Sequence, residues 1–315
     1  MAEVEKSGRI RTATAFLLTG LLWGSAWIAE GRLRDAVPDC YAGPIPGISL
    51  EAARYGIAAA ALGLLALRDL GSRISQKAIL WAAMLGVVQL GVPFVLAAWS
   101  GSGVAPGISI VSFALMPLFA LLISGGNGEG EIPLAVAGVG GVTLLGATSL
   151  NLSWHAWPMF LALLAAVLLG AVGLLGLRRL RVHGLIQSGQ WAQFCAIQSG
   201  TACLFLLLAS FIFHSADAAP CTLQRASALP LVALALPVTA VTLPLLFLLA
   251  GRMEAWQIAT LEWLTTLVAV LESHGLLKIR PSWLEGLGAA ILAGCIVRVV
   301  SIDESSATPV PSYLK

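Results

Sequence analysis

Glu262 is the residue of this sequence most in need of a chemical reason. It is the single charged residue among the 17 that separate Glu254 from Glu272, and it sits in the apolar stretch LEWLTTLVAV (261–270). A fixed charge in hydrocarbon costs about 2.5–3.5 kcal/mol on insertion scales, so a carboxyl there must be neutral, paired or in use. Facing a cavity, it would bind a substrate amine or carry a proton, since burial favours the uncharged acid. Packed against a neighbouring helix, it would be a neutral or paired polar contact and nothing more. Arg54 offers the opposite charge. Glu51 lies one turn before it, so an i, i+3 ion pair is available, and the long stem can also snorkel toward lipid headgroups. A third role is attraction of a substrate carboxylate.

Gln89 stands deep in an apolar run near Pro93, which frees a backbone carbonyl in the preceding turn. Gln190, Gln193 and Gln198 form a second amide group, and hydrogen bonding between helices is the common use of such side chains in lipid. Trp23, Trp27 and Trp99 would line a mainly apolar pocket, whereas Trp81 and Trp283 read as interfacial anchors. The candidate substrate-binding set is therefore Trp23, Ser25, Trp27, Arg54, Gln89, Glu262 and Trp263. No HExxH, GxSxG, Walker loop or Cys–His cluster occurs, so no catalytic, cofactor or metal residue is nominated. The glycine-rich GSGVAPG (101–107) has no strand before it and is read as a connection. His155, His183, His214 and His274 fall at the ends of apolar runs without metal-ligand spacing.

The elements that must position these residues follow from composition. The chain has 315 residues, 58% hydrophobic and 11% charged, with mean hydropathy +0.90. Soluble domains carry about 25% charged residues, so there is too little charge here to cover a soluble core. A soluble enzyme and an extended nucleic-acid binder are excluded, and the lipid bilayer is the expected surroundings. Residues 78–128 and 132–177 contain no Asp, Glu, Lys or Arg, runs of 51 and 46. A helix needs about 20 apolar residues to cross a bilayer, so each run holds two crossings, divided at Gly101, Gly103 and Pro106 and at Asn151, His155 and Pro158. Single crossings fit at 12–29, 48–67, 190–213, 228–250, 254–272 and 282–300, giving ten in all. Residues 1–29 are read as a retained first span and not a cleaved signal. Pro93, Pro117, Pro237 and Pro244 are expected to kink their helices.

With both ends in the cytoplasm, the inner connections hold twelve Lys and Arg, among them Arg68, Arg73, Lys77, Arg178, Arg179 and Arg181; the outer ones hold five, Arg32, Arg34, Arg225, Lys278 and Arg280. This satisfies the positive-inside bias. Cys40 and Cys221 then share the outer side, where a disulfide between them is open to formation; Cys195, Cys203 and Cys295 fall within spans.

The two halves are weakly alike: GVGGVTLLG (138–146) and GLGAAILAG (286–294) match at an offset of 148. Five crossings per half is an odd number, so a second copy must enter the membrane from the opposite side. Inverted repeats of this kind build secondary transporters. The glycines also have a packing explanation, as do Gly170, Gly173 and Gly176 at i, i+3, i+6. The expected fold is all-α and integral to the membrane, ten transmembrane helices as two inverted five-helix repeats, 1–150 and 151–302, with a cytoplasmic tail at 303–315.

These segments resemble the drug/metabolite transporter superfamily, of the EamA-like ten-helix bacterial type. LLWGSAWIA (21–29) is similar to that family's opening signature, and LEAARYGIAAAALGLLAL (50–67) to its second span, with an Arg near the outer end. SFALMPLFALLI (112–123), then Glu129 or Glu131 and GVGG, resembles the layout of spans four and five. FLALLAAVLLGAVGLLGLRRL (160–180) and TLEWLTTLVAVLESHG (260–275) resemble the sixth and ninth spans. Trp263 stands where the family usually has Pro, and the acidic residue expected near Gly275-Leu276 is absent. The resemblance implies a secondary transporter of the inner membrane, monomer or homodimer, moving a small organic metabolite such as an amino acid outward. Alternating access around a midplane cavity lined by spans one, three, four, six, eight and nine would be its mechanism. The competing readings are an integral-membrane enzyme acting on a lipid-linked substrate and a non-transporting membrane subunit.

Overall fold

The structure is a computed structural model, describing residues 2–41, 45–69, 74–101, 103–125, 130–146, 153–213, 225–277 and 282–301. Every regular element among them is helical. In chain order these are α1 (Ala2–Gly24), α2 (Ala26–Ala36), α3 (Ile48–Ala66), α4 (Gln76–Leu85), α5 (Val92–Ser100), α6 (Pro106–Ala114), α7 (Met116–Ser124), α8 (Glu131–Gly146), α9 (Trp157–Val182), α10 (Trp191–Ile212), α11 (Arg225–Ala233), α12 (Thr242–Ala250), α13 (Ala255–Ala259), α14 (Leu261–Leu277) and α15 (Trp283–Ser301). Several of these are successive pieces of one rod. Joined so, eight rods are long and apolar enough to cross a membrane: Gly8–Ala36, Ile48–Ala66, Gln76–Ser100, Gly107–Ser124, Trp157–Val182, Trp191–Ile212, Arg225–Ala250 and Trp283–Ser301. The helix Glu131–Gly146 is apolar but shorter, at 16 residues, and α14 has 17.

The expected crossings fall on these elements with shifted ends. The first rod reaches Ala36, seven residues past the anticipated end at 29, because Ala26–Ala36 continues the helix as polar residues replace apolar ones. The long charge-free runs divide where the glycines and prolines indicated: α5 stops at Ser100 and α6 opens on Pro106, while Pro158 enters the first turn of α9. A proline is tolerated there because that turn has no intrahelical acceptor for an N–H. The expected boundary between the two halves lies at 147–152, outside the described residues.

Pairing between rods is regular. α3 runs along α10, and α8 runs along α15. The α4–α5 rod lies against α9 and α10, and the α11–α12 rod lies against α1 and α3. Close approach depends on small side chains. Gly141 and Gly288 face each other across α8 and α15, where a Cβ on Gly288 would come within 2.6 Å of the Gly141 carbonyl oxygen. Gly173 admits the Gln89 side chain and Gly170 admits Met116, so the glycines picked out at i, i+3, i+6 serve packing. The interior holds Phe16, Phe194 and Trp263 with no exposed surface. The outside is apolar as well: Leu80 is 70% exposed, Phe211 83% and Leu229 75%. A surface of that kind has lipid as its natural solvent.

Gly288→Ala is expected to destabilise the fold by about 1–3 kcal/mol, the usual penalty of an overpacked site, read as a lowered thermal midpoint in detergent. A midpoint equal to that of the unsubstituted chain would show that α8 and α15 are not in contact at this glycine pair.

Candidate functional site

Five rods depart from regular helix, and the candidate residues gather where they do. The first breaks at Ser25, between α1 and α2. The rod of α6 and α7 breaks at Leu115, just before Pro117 in the first turn of α7. The rod of α13 and α14 breaks at Thr260. Two others pass through π-helical segments, Gly86–Gly91 between α4 and α5 and Leu234–Val241 between α11 and α12. Proline is the local cause in both. Pro93 has no N–H to give the Gln89 carbonyl, and the chain widens so that Val92 donates to Val87; Pro237 lies inside the second π segment. A missing donor releases a carbonyl, and widening by one residue is a recognised way of absorbing it.

The Leu234–Val241 segment is a hub. The Thr239 hydroxyl donates to the Leu234 carbonyl at 2.9 Å and accepts from Arg54 Nε at 2.7 Å. The Thr242 hydroxyl donates to the Val238 carbonyl and accepts from Trp23 Nε1 at 2.9 Å. Each hydroxyl thus satisfies a backbone oxygen with its proton and receives a neighbouring rod on its lone pair. The Gly86–Gly91 segment is joined to a neighbouring rod by an amide pair, as Gln198 Nε2 of α10 donates to Gln89 Oε1 at 3.0 Å. This is the cross-helix bonding expected of Gln89 and Gln198. Gln193 accepts from the Ile74 backbone N–H at 3.1 Å, while Gln190 caps its own turn by accepting from the Gln187 N–H.

Arg54 pairs with Glu51 at 2.9 Å, as the i, i+3 spacing indicated, and lies 3.9 Å from Glu30. Tyr41 adjoins the same cluster beneath the Arg34 guanidinium, 5.1 Å from its ring centroid. Burial first, and the Glu30 charge next, push the Tyr41 phenol up to about 12 from the ordinary 10. Cys40, beside it, is disulfide-bonded, and Cys195, Cys203 and Cys295 are free thiols; Cys221, its expected partner, lies outside the described residues. A second ionic cluster joins α9 to the turn before α13: Arg178 pairs with Glu254 and also donates to the Met253 carbonyl at 3.1 Å. Burial raises the Glu254 carboxyl above its ordinary value while Arg178 pulls it back. Sequence inspection did not single out this pair, because its members are 76 residues apart. Arg252 adds a tie to the first rod, donating to the Gly8 carbonyl and the Thr12 hydroxyl, each at 3.2 Å.

The rod of α13 and α14 carries the rest. Trp263 is fully buried, and its Nε1 donates to the Ala114 carbonyl at 3.1 Å, where α6 ends. Its ring lies against Gly138, so it ties three rods together. Glu262 is half-buried, and its carboxylate takes no hydrogen bond or ion pair among the described residues. One turn on, the Thr265 hydroxyl is buried without a partner, as is the indole N–H of Trp27. Ser25 donates to Glu272 at 2.7 Å, joining the break in the first rod to α14. The structure therefore brings Trp23, Ser25 and Arg54 into contacts with neighbouring rods and places Gln89 in a π segment. It leaves Trp27 and Glu262 with polar atoms to spare. Among the described residues, no group of three or more His, Cys, Asp or Glu is assembled to hold a metal.

Two outcomes test this description. Arg54→Gln strands Glu51, and a broken buried pair costs about 3–5 kcal/mol; the double variant with Glu51→Gln should recover most of the loss in thermal unfolding. Equal losses in the single and double variants would remove the pairing from the stability account. For Tyr41, the folded chain holds a proton that the unfolded chain releases near 10, so stability falls as the pH rises from 10 to about 12. Alkaline absorbance titration should show a late phenolate step that Tyr41→Phe abolishes and Glu30→Gln moves downward.

No family model matches this chain, and no curated protein does. A solved crystal structure, described only as that of a protein, superposes with a TM-score of 0.72 over 94% of this chain and 99% of its own, at 17% identity. The likeness is one of fold, carried over nearly the full length of both chains.

Proposed function

We propose that this chain is a secondary transporter of small organic metabolites, built as ten membrane crossings in two inverted five-helix repeats. The observation that carries the reading is the recurrence of irregular backbone at matched places. The π segments begin at Gly86 and Leu234, separated by 148 residues, the same offset that relates GVGGVTLLG to GLGAAILAG. The first π segment bonds to α10 and the second to α3, which are themselves paired. The breaks at Leu115 and Thr260 occupy corresponding rods, and Trp263 joins one break to the other. Counting the short helix at Glu131–Gly146 and the rod of α13 and α14 as crossings brings the total to ten. Discontinuous helices in corresponding positions of two halves are the usual construction of a substrate site near the bilayer midplane.

Orientation with both ends in the cytoplasm is supported by two facts. The excess of Lys and Arg favours it, and the oxidised Cys40 belongs on the side exposed to an oxidising compartment. In that frame Arg178–Glu254 ties the inner end of the bundle, while Arg54–Glu51 ties its outer half. Alternating access then means loosening one tie while the other holds. The resemblance to EamA-like members of the drug/metabolite transporter superfamily agrees with this arrangement, and the inner membrane of a bacterium is the corresponding location. Glu262, Thr265 and Trp27 hold the polar atoms left over for a substrate, an acceptor and two hydroxyl or indole N–H groups suited to an amphiphile with an amine.

The test is flux. Purified chain in phospholipid vesicles, preloaded with an unlabelled amino-acid mixture, should accumulate at least one labelled amino acid by counterflow. Glu262→Gln should lower that rate by about tenfold or more, the scale set by one lost charged contact. Counterflow absent for every amino acid and amine tried would defeat the transporter reading, and a rate unchanged in the variant at every pH would free Glu262 of its role.

A further inference from the structure

The α4–α5 rod and α9 meet along a seam made tight by glycine. The Gln89 side chain rests on Gly173, and Leu85 faces Gly176, where a Cβ would lie 3.3 Å from it. Residue numbers rise along one rod as they fall along the other, so the pair is antiparallel. One turn further along the seam, that register sets Trp81 level with Leu180, and another turn sets Lys77 near Gly184. Ala78, Ala82 and Leu180 are buried there, and small side chains again let the backbones approach.

Beside the seam each rod keeps an exposed stripe. On α4 it holds Lys77, Trp81 and Met84; on α9 it holds Val172 and Arg179, with His183 just past the last turn. On both rods an exposed residue directly precedes a seam residue: Trp81 before Ala82, Met84 before Leu85, Val172 before Gly173 and Arg179 before Leu180. A helix turns about 100° per residue, so each stripe lies one step to the same hand of the seam. Antiparallel rods are related by a local two-fold axis across their contact, which puts both stripes on one side of it. The result is a continuous apolar surface with Lys77 and Arg179 at one end. Both cations stand at the limits of their crossings, Gln76–Ser100 and Trp157–Val182. Neither makes an ion pair or a side-chain hydrogen bond among the described residues. The neighbouring Arg178 turns away to its own partner, Glu254, and neither α4, α9 nor α10, which packs against α4, contains an Asp or Glu.

We propose that this seam binds an anionic phospholipid, its phosphate between Lys77 and Arg179 and an acyl chain along Met84 and Val172. Charge complementarity carries the choice of occupant. An apolar groove alone would take any lipid, whereas two uncompensated cations at the depth of the headgroups favour a phosphate that lacks a balancing choline. Each such cation contributes about fivefold to the preference. Trp81 lies at the same level, its ring suited to the interface and its N–H available to a glycerol ester. The bound chain would run toward Gly173 and Gln89, and so brace the first π segment from outside. That bracing matters for transport only on the transporter reading; the lipid site does not rest on it.

Native mass spectrometry of the full chain tests the site, with the protein released from detergent micelles holding equal amounts of phosphatidylglycerol and phosphatidylcholine of the same acyl chains. One phosphatidylglycerol per chain is expected to remain, favoured over phosphatidylcholine by about tenfold or more. The preference should vanish in the double variant Lys77→Gln with Arg179→Gln. Arg298→Gln, which removes an exposed arginine from the last turn of α15, should leave it intact. Equal retention of the two lipids, or the same loss in Arg298→Gln, overturns the site. Inorganic phosphate offered in place of lipid should form no adduct, having no chain for the groove; an adduct lost in the double variant would make this a free-anion site and defeat the lipid assignment. A doubled mass without lipid would give the face to a second copy of the chain and defeat it as well. Should the double variant fail to fold, the single ones decide: each is expected to lower the preference about fivefold, and an unchanged preference in both counts against the site.

Discussion

A helix bundle in hydrocarbon has no solvent with which to satisfy a polar backbone group, and each orphaned N–H or C=O there costs several kcal/mol. That constraint governs where this chain can be irregular. At the second π segment and at the end of α6, a side chain from the same or a neighbouring rod meets a backbone carbonyl. Thr239 and Thr242 cover the oxygens of Leu234 and Val238, and Trp263 covers that of Ala114 at the foot of α6. Each covering group also reaches a different rod, so satisfying the backbone and joining the bundle are one act. Remove the hydroxyl of Thr239 and both a carbonyl and the Arg54 side chain lose a partner.

This dual use explains why polar residues lie in seams and not in a scattered pattern. The seam at Leu234–Val241 gathers the first two rods through Trp23 and Arg54. The seam at Gly86–Gly91 gathers α10 through Gln198 and is pressed by Gly173 of α9. Between them, α3 and α10 meet on small residues, Ala52 and Ala202 being fully buried and Ser49 and Ser210 sharing a hydrogen bond at 2.9 Å. Such a crossing is held by shape and short-range contact, with few polar bonds to rearrange. On the transporter reading it is the natural pivot, because rods that touch through small side chains can change angle without stranding a charge.

Much of the architecture was legible because one solvent enforces one pattern. A run free of Asp, Glu, Lys and Arg can only be buried or face lipid, so the limits at Ser100, Pro106 and Trp157 followed from composition and from glycine and proline. The Arg54–Glu51 pair was legible for a local reason, a spacing of three along one helix. What stayed hidden is what depends on distance along the chain. Nothing adjacent to Arg178 announces Glu254, and nothing adjacent to Ser25 announces Glu272. Trp263 looked like a candidate ligand contact by its place beside Glu262. Helical geometry turns the two neighbours about 100° apart, and the indole goes into the packed face while the carboxyl does not. The π segments were half visible: Pro93 and Pro237 announced a fault in the helix, but whether it becomes a kink or a widened turn depends on which partners are near.

The rod of α13 and α14 shows how one rod can carry three carboxyls in three different settings. Glu254 caps its start and is paired with Arg178. Glu262 follows two turns later with no partner among the described residues, and Glu272 ends the series accepting from a serine hydroxyl. The differences arise from what each meets and owe nothing to residue type. An ion pair resists change in either partner, an unpaired carboxyl is available to a ligand, and a carboxyl resting on a helix break responds to the angle at that break. A ligand shifts a conformational equilibrium only by its differential contact with the two states. On the transporter reading, carboxyls at Glu262 and at the Ser25 break on the same short rod let occupancy of the first alter the geometry at the second through ten residues of helix. That coupling requires no pathway of side chains across the bundle, since a rod about 15 Å long between the two carboxyls transmits a tilt directly.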